Sequence, residues 1–206
     1  MKAQSLSRDE IWTHVANKVM GASAHCELWA ALSDIEGHRI NALHELKKCG
    51  KLTSVEPLLL QSKRAHQITL TMEVCSLYER PDKTECVTLQ AYRDKVSETF
   101  AVPVGLDQRI TDAYQTARKL YKLRSNYWAH GLAITSRRNL FEEAGLTSNQ
   151  VIDLVAETKA IVVQLGEIEG RSNFDLHTDH DVAKRLSLVN DELLTAIATL
   201  KAGAFG

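Results

Sequence analysis

No proline follows Pro103 in this chain of 206 residues; the others, Pro57 and Pro81, also lie in the first half. A proline-free half leaves the helical hydrogen-bond ladder uninterrupted. Apolar residues recur there at three- and four-residue spacing, which is the template of an amphipathic helix. The expectation is therefore an all-α chain, a bundle of six to seven helices forming a single domain over residues 1–206. Residues 1–22 are a candidate N-terminal helical extension.

Local signals place the helices. Ser7, Arg8, Asp9 and Glu10 fit a capping box, and Ile11, Trp12, Val15, Val19 and Met20 form a stripe behind it. Gly21 and Ser23 are expected to interrupt before a second helix carrying Leu28, Trp29, Leu32, Ile35, Leu43 and Leu46, which stops at Cys49-Gly50. Pro57 suits the first position of a third helix that runs to about Tyr78. Within it, Ile68 to Val74 alternates apolar and polar, as strands do. Both flanks follow helical spacing and no second strand is available to pair, so the passage is read as helix.

Further start signals stand at Asp82-Lys83-Thr84-Glu85, at Asp107 after a break at Pro103-Val104-Gly105, and at Thr147-Ser148-Asn149-Gln150. The helix from Asp107 is expected to end near Gly131. Ser136 to Asn139 and Gly170 to Asp175 read as loops, and a last helix runs from about Asp179 to Lys201.

Apolar residues make up 44% of the chain and charged residues 25%, both globular averages that exclude a disordered chain. No 18-residue apolar run is present to span a membrane. Met1 to Glu10 lacks the apolar core of a secretory signal. Cys26, Cys49, Cys75 and Cys86 form no C-x-x-C pair and are read as buried thiols of a cytoplasmic protein. Glycine-rich phosphate loops, H-E-x-x-H and G-x-S-x-G are all missing. His177 and His180, with Asp179 and Asp181, could share a helix face and chelate a metal, but no second cluster completes a set. A solvated helix start is the competing reading, and no metal or cofactor is assigned.

The net charge of −1 is unevenly spread. Between Asp107 and Asn139, seven basic residues face two acidic ones, a local +5 that leaves −6 elsewhere. Arg109, Arg118, Lys119, Lys122, Arg124, Arg137 and Arg138 supply it. Such a patch suits a polyanion, although a solvated basic face has the same composition.

Inside that window stands Arg124-Ser125-Asn126-Tyr127-Trp128-Ala129-His130. An Arg and a His with four to six residues between them, on a helix, is the ribonuclease signature of the HEPN superfamily. The bare spacing is weak, because four pairs satisfy it: Arg8 with His14, Arg39 with His44, Arg124 with His130, and Arg171 with His177. Context separates them. Arg124 and His130 lie in the basic window, Asn126 sits one turn before His130, and Gly131 is next in the chain. The segment Leu120 to His130 resembles the K-L-R-N-x-x-x-A-H stretch of HEPN proteins of the AbiU-like abortive-infection type. Leu140 to Thr147 is similar to the segment that comes after that stretch in the same proteins. Ser125 stands where that family often has Asn or Asp directly after the arginine.

The resemblance implies a metal-independent endoribonuclease of toxin or phage-defence type, acting as a homodimer, with RNA as substrate and an antitoxin protein as a further partner. Arg124, His130 and Asn126 would be its catalytic residues. Arg118, Lys119, Lys122, Tyr127, Arg137 and Arg138 would contact RNA, although for Tyr127 and Trp128 core packing is the favoured reading. Positions 124 and 130 lie about 120° apart around an ideal helix and ~9 Å along it. One helix therefore cannot easily converge both side chains on one phosphorus atom, whereas a two-fold axis brings two copies together. Two alternatives stay open: a catalytically silent HEPN module that binds RNA or nucleotides, and a structural helical interaction protein.

Overall fold

The computed structural model describes residues 6–48, 55–79, 87–129 and 140–171, with side chains given outside 34–60, 126–140 and Glu143. All regular structure among them is helical: α1 (Arg8–Lys48), α2 (Val55–Leu77), α3 (Leu89–Ser97), α4 (Val104–Ala129), the single turn α5 (Leu140–Glu143) and α6 (Ser148–Ile168). The expected last helix, and the start signal at Asp82, fall outside the described residues.

Two compact units divide the chain, one from Met1–Ser23 and Thr69–His177, the other from Ala24–Ile68 and Thr178–Gly206. In the first unit, the capping box at Ser7 forms as expected. The Ser7 hydroxyl accepts from the Glu10 amide at 3.3 Å, and Glu10 Oε2 accepts from the Ser7 amide at 2.8 Å. Gly21 and Ser23 do not interrupt: α1 is continuous for 41 residues. A mid-helix glycine costs only about 1 kcal/mol, and Ala22 and Ser23 beside it are buried. Helix α2 starts at Val55, so Pro57 occupies the third helical position, still within the first turn, where backbone amides have no helical acceptor. The alternating passage Ile68 to Val74 is helical; only Leu70 and Val74 of its four apolar residues are buried, and they are four apart. Thr88 caps α3, accepting from the Ala91 amide at 3.1 Å.

Helix α4 begins at Val104 instead of Asp107. The break between α3 and α4 is present but ends at Pro103, so Val104 and Gly105 are already helical and Asp107 falls in the first turn, favourable for an acid. There its carboxylate receives Arg93 through two hydrogen bonds of 2.6 Å. Thr147 and Gln150 close the expected reciprocal capping box on α6. The same helix ends in a Schellman motif: Gly170, at φ +78°, donates to Glu167 O and Arg171 to Gly166 O, each at 2.9 Å.

The core of this unit gathers Trp12, Val15 and Val19 of α1, Leu70 and Val74 of α2, Tyr92 of α3, Ile110 and Leu120 of α4, Phe141, and Val155, Ile161 and Leu165 of α6. At one end, Glu169, whose side chain is 1% exposed, accepts from Tyr92 Oη at 2.8 Å and Arg171 Nε at 2.6 Å, with Arg8 Nε 2.9 Å away. Burial, reinforced by that carboxylate, pushes the Tyr92 hydroxyl well above its ordinary range.

In the second unit, Cys26, Trp29 and Leu32 of α1 are buried at three-residue spacing. His25 of α1 and His66 of α2 bring their Nδ1 atoms to 2.8 Å. Only one proton fits between two ring nitrogens at that distance. Burial first, and then the facing His25, hold the His66 imidazole below the usual histidine range. The unfolded chain therefore binds more protons than the folded one once pH falls below about 6.5, so stability is lost from there down to the folded-state value. Urea denaturation between pH 7.5 and 5 is expected to show a falling midpoint that His66→Gln flattens; an equal slope in the variant would remove His66 as its cause.

The buried-thiol expectation can be placed at two positions. Cys26 and Cys75 are both buried, and burial pushes their thiols up to about 11 and about 12. Neither is a nucleophile near neutrality. Cys49 and Cys86 lie outside the described residues.

Candidate functional site

Helix α4 sorts the basic window into two roles. Its inward face is Leu106, Ile110, Ala113, Ala117, Leu120 and Leu123, a helical stripe of buried residues. Arg109 is used structurally: it gives Nε and Nη2 to Glu157 at 2.6 and 3.1 Å and Nη1 to Gln164 at 2.7 Å, tying α4 to α6. Arg118, Lys119 and Lys122 are exposed. Positions 118 and 122 are one turn apart, and 119 and 122 three apart, so these cations form one ridge. None of them has a carboxylate within ion-pair distance among the described residues. This is a geometry open to phosphates.

Arg124 closes the ridge toward the C-terminal end of α4. Its side chain is 33% exposed, and its Nη1 donates to Oε1 of Glu79, whose side chain is only 12% exposed. This carboxylate holds the guanidinium above its already high ordinary range. One helical turn earlier, Tyr121 donates its hydroxyl to Cys75 O at 2.9 Å, and burial pushes that hydroxyl upward. Tyr78, just past α2, meets Thr158 of α6 at 2.7 Å. The residues at the end of α2 are thus held on both sides, which fixes Glu79 and hence the direction of Arg124. Nε and Nη2 of Arg124 have no partner among the described residues.

Glu79 is the site residue that the sequence reading passes over. It lies 45 residues from Arg124, beyond the last turn of α2, and no periodicity or motif couples the two. The remaining signal would have been a lone acid just before Arg80-Pro81, too common to single out.

Asn126 and Tyr127 belong to the last turn of α4, and their side chains are outside the described residues, as are His130, Arg137 and Arg138 altogether. Of the competing arginines, Arg8 and Arg171 are engaged. Arg171 binds Glu169 and Asp9 and lies over the Trp12 ring at 5.2 Å, while Arg8 faces Glu169 and lies over Phe100 at 5.3 Å. His14 is exposed on α1. The side chains of Arg39 and His44, and all of His177 and His180, are outside the described residues. Among the described residues, no three His, Cys, Asp or Glu side chains are grouped to hold a metal ion, and no helix is long and apolar enough to cross a membrane.

No family model, curated protein or solved structure matches this chain.

Proposed function

We propose that the chain is a metal-independent HEPN-type endoribonuclease that cleaves RNA through its own 2′-hydroxyl, with two copies of the α4 site facing each other across a homodimer cleft. The observation that carries this reading is Arg124. Its guanidinium is partly exposed and aimed by Glu79, with two nitrogens of the fork to spare, at the end of a ridge of three exposed cations.

In this mechanism the 2′-oxygen attacks the adjacent phosphorus, the 5′-oxygen leaves, and a cyclic phosphate remains. Arg124 binds the non-bridging oxygens and offsets the charge that develops on them. His130 moves the proton, because imidazole titrates near neutrality, and Asn126 orients one or the other. Arg118, Lys119 and Lys122 track the backbone, joined by Tyr127, Arg137 and Arg138. The same reading makes the fold a HEPN-like bundle of six to seven helices. It makes the setting a cytoplasmic toxin or phage-defence system with an antitoxin partner.

RNA cleavage in EDTA tests it. The wild type is expected to yield cyclic-phosphate ends, and His130→Ala to lose ~10²–10⁴-fold in rate while folding and dimerising normally. Undiminished cleavage by His130→Ala would sink the assignment, and loss of activity in EDTA would point to His177 and His180 instead. A second reading, a silent RNA-binding module, is favoured by one observation: the Glu79 carboxylate competes with phosphate for Arg124. It predicts binding without cleavage, with log K falling against log salt at a slope of about −2 for three phosphate contacts to a single strand. Absence of RNA affinity at low salt would leave an interaction protein.

A further inference from the structure

Glu79 also forms part of a cavity within the first unit. About 230 Å³ in volume, it is lined by Leu77, Tyr78 and Glu79, by Gln90 of α3, and by Ile110, Thr111 and Tyr114 of α4. A cavity of roughly 150 Å³ admits one benzene ring, so this one suits a bicyclic ring. Leu77 and Ile110 are buried and apolar, and two tyrosines complete a wall for a planar aromatic body.

The polar lining is rich in acceptors. Gln90 gives one amide N–H to Asp94 Oδ1 at 2.8 Å, which leaves its carbonyl and a second N–H. Thr111 spends its hydroxyl proton on Asp107 O at 2.9 Å, which leaves lone pairs. Glu79 accepts from Arg124 through Oε1, and its Oε2 has no partner among the described residues. A ligand edge that faces Glu79 must bring donors. Because Arg124 already neutralises Glu79, a free cation gains little, and a neutral ring with adjacent N–H groups is the better match. Guanine has that edge, with N1–H beside its exocyclic amine. Adenine presents an acceptor in place of N1–H, and an acceptor facing a carboxylate loses the hydrogen bond as well as its solvation.

We propose that this cavity is a guanine-binding pocket in which Glu79 accepts from N1–H and the exocyclic amine, and Gln90 and Thr111 set the fit. In placing that base beside a phosphate held by Arg124, the proposal rests on the ribonuclease reading above and names its substrate as RNA cleaved next to guanine.

The test uses the full chain and three probes: guanosine, adenosine and L-arginine. Guanosine carries no phosphate, so its binding is read independently of cleavage. Titration followed by amide chemical shifts is expected to show guanosine binding about 10–100-fold tighter than adenosine, with Gln90 and Thr111 among the amides that move. Thr111→Phe, which fills the mouth from an exposed position, should abolish binding with an unchanged thermal midpoint, and Gln90→Leu should weaken it about tenfold. Equal affinity for adenosine, tighter binding of L-arginine (a cation site), or no response to any probe would overturn the proposal.

RNA oligonucleotides with one guanine at varied positions separate the two sources of the base. Cleavage that tracks the guanine and is lost in Thr111→Phe supports the strand-borne base. Guanosine binding with cleavage indifferent to guanine overturns that part and assigns a free nucleotide. Guanosine binding in a chain that cleaves nothing keeps the pocket and removes the ribonuclease.

Discussion

Trp12→Ala is expected to cost about 3–5 kcal/mol of unfolding free energy, read from the shift in urea midpoint at constant m-value. The indole is 5% exposed, stands 5.4 Å from the Tyr92 ring, and lies under the Arg171 guanidinium. It also reaches α6 where that helix has no side chain: a Cβ built on Gly166 would stand 2.9 Å from Trp12 Cη2. The hole left by the substitution is walled by the backbone of one helix and the ring of another, and neither collapses readily. Gly166→Ala supplies the complementary experiment. Alone, it overpacks against the indole and should cost about 1–3 kcal/mol. In the Trp12→Ala background that cost should vanish, giving non-additivity of similar size. A Trp12→Ala cost below ~1 kcal/mol, or strict additivity of the pair, would mean that the ring is not the strut between α1 and α6.

The second large effect concerns Arg124 and bears on how its proposed catalytic role is tested. Arg124→Ala should destabilise the protein by about 2–3 kcal/mol, because it leaves the Glu79 carboxylate, 12% exposed, without its counter-charge. Glu79→Gln should cost less, since Arg124 is 33% exposed and can turn toward water. The double variant Glu79→Gln/Arg124→Ala should recover most of the loss. Cleavage then separates structure from chemistry. If Arg124 holds phosphate, the double variant regains stability but cleaves far more slowly than Glu79→Gln alone; if the arginine only supports the fold, the two variants cleave alike. Thermal and urea unfolding of the three variants, beside RNA cleavage by each, read both effects. Equal stability of Arg124→Ala and wild type would mean that the ion pair contributes nothing to the fold.

Much of the helical organisation is written locally. The capping box at Thr147 and Gln150, the one at Ser7 and Glu10, and the glycine stop at Gly170 are built from neighbours within six residues, so local composition announces them. Elsewhere packing overrode a local signal. Gly21 lies inside one continuous helix whose neighbouring residues are buried, and α4 starts at Val104 so that Asp107 meets Arg93. The alternation from Ile68 to Val74 is a coincidence of sequence that becomes clear only from which two of its apolar residues are buried.

The basic window divides in the same way. That cations concentrate on α4 is evident from the chain order alone. That Arg109 belongs to Glu157 while Arg118, Lys119 and Lys122 face solvent is not. By itself the sequence determined the helical class, the helix caps and a localised positive charge around Arg124, because each depends on residues within a few turns. Only the tertiary structure decided which arginines are engaged, that Glu79 aims Arg124, and that the same carboxylate lines a cavity. Arg124 and Glu79 lie 45 positions apart, Arg109 and Glu157 48, and the cavity joins the end of α2 to α3 and α4; such contacts are selected by the packing of whole helices, which no local spacing records.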